Sequence, residues 1–160
     1  MTESSCTNHA ADHALVLQRF IAAPPAMLYR AWTDPQWLVK WFAPLPWTVA
    51  RAELDVRPGG SSLVVMRSPE GEESPNHGVY LDVVPGRRLV LTDAYVKAWE
   101  PSNKAFCTIS LDFDAAAGGT QYTARVLHWN AADRDAHEAM GFHPGWGQCT
   151  DQLAALVAAR

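Results

Sequence analysis

The sequence predicts a two-layer α+β domain, a curved antiparallel sheet with a long helix laid against one face. Three observations predict it. Between about residues 48 and 129 the apolar residues fall into short alternating or β-branched runs. Turn-formers such as Pro58-Gly59-Gly60, Pro85-Gly86 and Gly118-Gly119 interrupt those runs at near-regular spacing. The C-terminal segment then changes period: Phe142, Trp146, Cys149, Leu153, Leu156 and Val157 make one stripe at steps of three and four. A helix with such a stripe must bury it, and the sheet face is the partner available.

Each element can be justified in turn. Residues 1–13 are polar and read as a loose tail, leaving 14–160 as one domain. "ALVLQRFI" (14–21) has strand length and composition. "AAPPAMLYRAWTD" starts a helix: Pro24 and Pro25 suit a first turn, and Met27, Leu28, Ala31 and Trp32 share a face. Asp34-Pro35 ends it and caps a second short helix, "PQWLVKWF". "TVARAELDV" and "SLVVMR" are strands, and "SPEGEESPN" is a turn-rich loop. "HGVYLDVV", "RRLVLTDAYV", "KAFCTISLDF" and "TQYTARVLHW" are four more strands. Short turns between them favour an antiparallel meander. A short helix is expected near 132–140, then a break around Gly141, then the main helix from about 144 to 158.

Bulk properties exclude several functions. A chain of 160 residues suits one domain and needs no disulfide or metal to hold it. A formal net charge of −4, with the 13 basic residues scattered, argues against nucleic-acid binding. No apolar run approaches the ~18 residues of a membrane span. The N-terminus has neither a basic start nor an apolar core, so no secretory signal is expected. Cys6, Cys107 and Cys149 are odd in number and far apart, which suggests neither a disulfide framework nor a zinc site. A reducing cytoplasm is the expected location.

The stretch "DVRPGGSSLVVM" (55–66) poses a choice between a phosphate cradle and a chain reversal. A phosphate loop needs a helix after its glycines, so that the helix amides and dipole meet the anion. Here a β-branched strand follows and no Lys does. A tight hairpin is the expectation, with one glycine at positive φ and with Asp55 and Arg57 paired beside it.

Several segments together resemble a known family. "RFIAAPPAMLYRAWTDPQWLVKWFAP", "ELDVRPGGSSLVVM", "HGVYLDVVPGRRLVLT", "GGTQYT" and "GFHPGWGQCTDQLAALV" occur in the order seen in the START-like (SRPBCC) superfamily. They resemble in particular its branch similar to the activator of heat-shock-protein-90 ATPase, over about residues 14–158. The resemblance implies a helix-grip fold: a seven-stranded antiparallel sheet around a long C-terminal helix, with a cavity between them. It also implies apolar small-molecule binding, with cyclases among the relatives. It carries no shared catalytic motif, so fold does not decide function.

His9 and His13 stand at i, i+4 in the polar tail without a supporting acid. His137 and His143 straddle a glycine and read as structural or exposed. His128 ends a strand beside Trp129 and is placed to face a cavity mouth. Cys149 lies on the apolar stripe and reads as a small hydrophobe without activation. Glu53 and Asp55 share a strand face but are read as solvated. Trp99 falls in a loop. The seven Trp, four Tyr and five Phe fit a cavity mouth as well as a core.

The main expectation is a binding module. A hydrophobic or amphipathic small molecule would sit between the sheet and the first half of the last helix. The expected ligand-binding residues are Trp41, Trp47, Met66, Tyr80, Tyr95, Ile109, His128, Phe142, Trp146 and Cys149. No cofactor, metal or catalytic residue is assigned. The alternatives are a cyclase, hydratase or hydrolase using the same cavity through His128 or a Tyr, and a regulator of a chaperone ATPase.

Overall fold

The computed structural model describes residues 13–103 and 105–158. The reading of residues 1–13 as a loose tail, with His9 in it, lies outside the described residues up to residue 12; His13 is described, and its carbonyl oxygen accepts from His128 N at 2.9 Å. The elements are β1 (Ala14–Ile21), α1 (Pro25–Thr33), α2 (Pro35–Leu38), β2 (Thr48–Leu54), β3 (Ser61–Arg67), β4 (Glu73–Val84) and β5 (Arg88–Thr92). There follow β6 (Tyr95–Lys97), β7 (Glu100–Pro101), β8 (Cys107–Ala116), β9 (Gly119–His128), α3 (Ala131–Ala139) and α4 (Phe142–Ala158). Seven strands form one antiparallel sheet in the order β1-β9-β8-β5-β4-β3-β2, and β6 and β7 form a separate ribbon. With α4 against the sheet, this is the helix-grip architecture expected from the sequence.

Alternation sets the faces. In β1, Leu15 and Ile21 are buried and Leu17 half-buried, while Val16, Gln18 and Phe20 face out. Arg19 falls on the inward set and is neutralised by Asp151 of α4. The core gathers Leu28, Ala31 and Trp32 of α1, Leu89, Leu111, Phe113, Tyr122 and Ala124 of the sheet, and Leu153 and Val157 of α4. The Tyr122 phenol is wholly enclosed, and Trp32 Nε1 donates to it at 3.2 Å. That bond satisfies a polar group that burial would otherwise penalise.

Several elements differ from the sequence expectation, and three of the differences have an identifiable cause. "RRLVLTDAYV" is not one strand. It breaks at Asp93, whose carboxylate accepts from Phe106 N (2.8 Å) and Cys107 N (3.1 Å) and so turns the chain. β4 begins at Glu73, inside the expected loop. Pro75 is tolerated there because residues 73–78 pair with β3 on one side and β5 joins only from Val79. α4 begins at Phe142. Pro144 sits in its first turn, where no intrahelical N–H bond is lost, and Gly141 at φ +101° makes the corner from α3. Asn130 caps α3 by accepting from Asp133 N at 2.8 Å.

The glycine pair is a hairpin. Gly59 has φ +82°, and Gly60 N donates to Arg57 O at 2.8 Å. Asp55 and Arg57 pair across the turn at 2.9 Å. The turn is also stitched to β4, since Gly59 N donates to Tyr80 O and Tyr80 N to Gly60 O. A Cβ on Gly60 would stand 1.9 Å from the Asp55 carbonyl oxygen, so this glycine is needed for close approach and not for φ. Gly59→Val is expected to cost on the order of 1–3 kcal/mol in a denaturant titration through backbone strain. Gly60→Val is expected to cost more, because the backbone itself must move.

Candidate functional site: an aromatic cavity beside the C-terminal helix

The C-terminal helix covers the sheet unevenly. Leu153 and Val157 seat its second half in the core, and Phe142 seats its start against Leu15 and Val126. On the side facing β3 and β4 a cavity of about 460 Å³ is left. Trp32, Trp41, Phe42 and Pro44 wall it from the helical connection after β1. Met66 and Asn76 line it from the sheet, and Phe142, Gly145, Trp146 and Cys149 from α4. His137, Met140 and Gly141 complete it at the α3–α4 corner, and Met140, 76% exposed, marks the mouth.

The aromatic wall is rigid for identifiable reasons. Trp32, Trp41 and Phe42 meet edge to face at centroid distances of 4.8 to 5.6 Å. Trp41 Nε1 donates to Ala31 O at 3.0 Å, so the indole has no polar group left over for the cavity. The connection from Trp41 to Leu45 is fastened to α4 by neighbouring side chains of that helix. Gln152 Nε2 donates to Trp41 O (2.9 Å) and Ala43 O (2.8 Å), and Leu45 N donates to Gln152 Oε1 (3.2 Å). Gln148 Nε2 donates to Leu45 O at 3.0 Å, and Cys149 Sγ to Phe42 O at 3.4 Å. Burying backbone carbonyls beside an apolar cavity demands such partners.

Polar groups on the wall are few. Asn76 Nδ2 donates to Val64 O and Ser74 O, which uses both amide hydrogens on the sheet. His137 is half-buried, and its Nδ1 lies 2.8 Å from Nε2 of His128. His128 is buried and its Nδ1 lies 2.9 Å from the carbonyl oxygen of His13. Phe106 packs on both imidazoles, at 5.5 and 4.9 Å. Burial, and secondly the neighbouring His128, hold the His137 pKa below the ordinary histidine value.

The structure brings together part of the residue set expected from sequence. Trp41, Met66, Phe142, Trp146 and Cys149 share the cavity wall. His128 stands behind it, joined through His137. Trp47 lines a separate crevice of about 100 Å³ with Gln152. Tyr80 is buried in the core, where desolvation pushes its phenol up to about 12. Ile109 packs between the two core clusters, and Tyr95 lies on the outlying ribbon. Trp99 and Trp129 are exposed, at 93% and 63%, and line no part of the cavity. Glu53, Asp55 and His143 are exposed as well.

Trp32, Asn76 and His137 stand on the wall without a sequence signal for that position. In sequence, His137 reads like His143 as structural or exposed. Its signal is the 128–137 pair, and strand end and helix meet only in three dimensions. Among the described residues, no group of three or more His, Cys, Asp or Glu side chains could hold a metal ion. No helix among them is long and apolar enough to cross a membrane.

The model of the family described as "Activator of Hsp90 ATPase homolog 1-like protein" matches residues 22–158. The chain belongs to this family. A solved structure of a protein from Nitrosomonas europaea is 39% identical, with a TM-score of 0.90 over 93% of this chain and 96% of that one. A protein from Rhodobacter sphaeroides shares the fold at 23% identity, with a TM-score of 0.82 over 93% and 95% of the two chains. An AHSA1-like protein from Aeromonas hydrophila does so at 18% identity, with a TM-score of 0.72 over 91% and 92%. No curated protein matches the chain. The resemblance read from the segments above is therefore a family membership, and the family model spans all of the chain from α1 to the end of α4.

Burial holds the two described thiols toward their neutral form. Burial pushes Cys149 up to about 11 and, with Asp93 as a second cause, Cys107 up to about 12. An acid with a raised folded value stays neutral as pH rises through its unfolded value, so reactivity is delayed in the folded state. In a Cys6→Ser background, disulfide-exchange labelling at pH 8 is expected to run at least about a hundredfold slower for the native protein than for the denatured one.

Proposed function

We propose that this protein binds a hydrophobic or amphipathic small molecule in the cavity beside α4. One observation carries the reading: a single concave space of about 460 Å³ with five aromatic residues, Trp32, Trp41, Phe42, Phe142 and Trp146, on its walls. That size and chemistry lie within the usual range of ligand pockets, roughly 300–1,000 Å³ and mostly apolar. The family's fold supports it, because a sheet wrapped around one helix leaves an interior that a single helix does not fill. The few polar groups, Asn76 and His137, would orient the occupant rather than supply most of its affinity. Partnership with a small molecule also agrees with the scattered basic residues and the net charge of −4.

The test uses anilinonaphthalene sulfonate as a first probe within a broader screen of apolar compounds. Saturable binding of one equivalent is expected to quench Trp emission. It is also expected to stabilise the fold by about 2.7 kcal/mol at a hundredfold excess over Kd. Trp146→Ala is expected to weaken that binding with little loss of stability. Leu153→Ala is expected instead to cost roughly 2–5 kcal/mol, as a large-to-small change in a closed core does. No thermal shift with any compound, together with equal destabilisation by both substitutions, would replace the binding reading with a packed core.

A further inference from the structure

The two imidazoles beside the cavity form a chain whose proton positions follow from its first link. His128 Nδ1 faces the His13 carbonyl at 2.9 Å, and a carbonyl can only accept. His128 Nδ1 therefore carries the hydrogen. In the neutral ring its Nε2 is then bare and accepts across the 2.8 Å contact from His137 Nδ1. His137 Nδ1 carries the second hydrogen, which leaves His137 Nε2 with a free lone pair. Among the described residues nothing donates to that nitrogen, and His137 lines the cavity. The surrounding wall is aromatic, and the Asn76 amide hydrogens are already used.

We propose that His137 Nε2 is the hydrogen-bond acceptor of the cavity, and that the occupant is an apolar ring system bearing a neutral donor, a phenol or an enol. This rests on the cavity being the binding site. Its shape selects flat apolar bodies, since three indoles and two phenyl rings make the wall. Its polar chemistry selects a donor, since a bare imidazole nitrogen in an apolar wall is left unsatisfied by a methyl or an ether. His128 is a positioning residue: it touches no ligand and holds the His137 tautomer. The low His137 pKa agrees with a ring that stays neutral and accepting.

The experiment compares 2-naphthol with 2-methylnaphthalene, which differ by a hydroxyl against a methyl, by calorimetry on the parent and on His137→Phe. The ratio of the two dissociation constants is expected to shift about tenfold against 2-naphthol in the variant, the upper range for one neutral hydrogen bond. Binding of 2-methylnaphthalene should stay within about twofold. An unchanged ratio, with both compounds bound, overturns the acceptor role and leaves the cavity reading intact. Failure of both compounds to bind the parent overturns the cavity reading and this one with it. A second measurement needs no variant. The histidine ¹⁵N spectrum of the parent at neutral pH should show Nδ1 protonated and Nε2 bare on both His128 and His137, and 2-naphthol alone should shift His137 Nε2. A protonated His137 Nε2, or equal shifts from both compounds, overturns the proposal.

Discussion

Everything in this fold depends on how one helix is seated. The sheet has an apolar face that must be covered, and α4 is the long element that covers it. Leu153 and Val157 lock its second half into the core, and Phe142 pins its start on Leu15 and Val126. With both ends held, the helix cannot tilt to fill the β3–β4 side. The space there has to be walled by something else.

That wall comes from the connection between β1 and β2. Trp32, Trp41 and Phe42 stack edge to face, and Gln148, Cys149 and Gln152 hold the following backbone against α4. The same three α4 residues thus fasten the cover and satisfy its carbonyls. A cavity bounded by bonded backbone and interlocked rings does not collapse as an ordinary core gap would, because closing it would break those bonds. The helix start contributes in a different way. Gly145 presents no side chain to the space and Gly141 turns the chain at its rim, so the aromatic groups on either side stand apart.

The polar side of the cavity is built from a strand end and a helix. His128 closes β9, and the His13 carbonyl just before β1 orients it. His137 reaches it from α3, whose position is set by the Asn130 cap and by packing on α4. An imidazole pair of this kind is affordable in an apolar wall only because each internal hydrogen bond is made, leaving one open nitrogen instead of several.

Local rules carried much of the fold. Strand length and composition marked β1, the proline at a first turn marked α1, Asp34-Pro35 marked the second helix, and the glycine pair marked a hairpin with its Asp55–Arg57 pairing. Each of these depends on residues within a few positions of one another. The stripe on α4 also announced a partner face, and from it Phe142, Trp146 and Cys149 were legible as neighbours of one space. What failed was whatever depended on distant partners. Asp93 broke a strand by reaching Phe106 and Cys107, and Pro75 sat within a strand because one neighbour was missing beside it. Tyr80, Tyr95 and Ile109 have the composition of wall residues, but Tyr80 and Ile109 pack into the core and Tyr95 lies on the ribbon of β6 and β7. His137 looks like any helix-surface histidine until β9 places His128 against it. Sequence by itself determined the period of each element and hence which face is apolar. Only tertiary structure decided which apolar faces close on each other and which stay apart, because side chains far apart in the chain compete for the same volume.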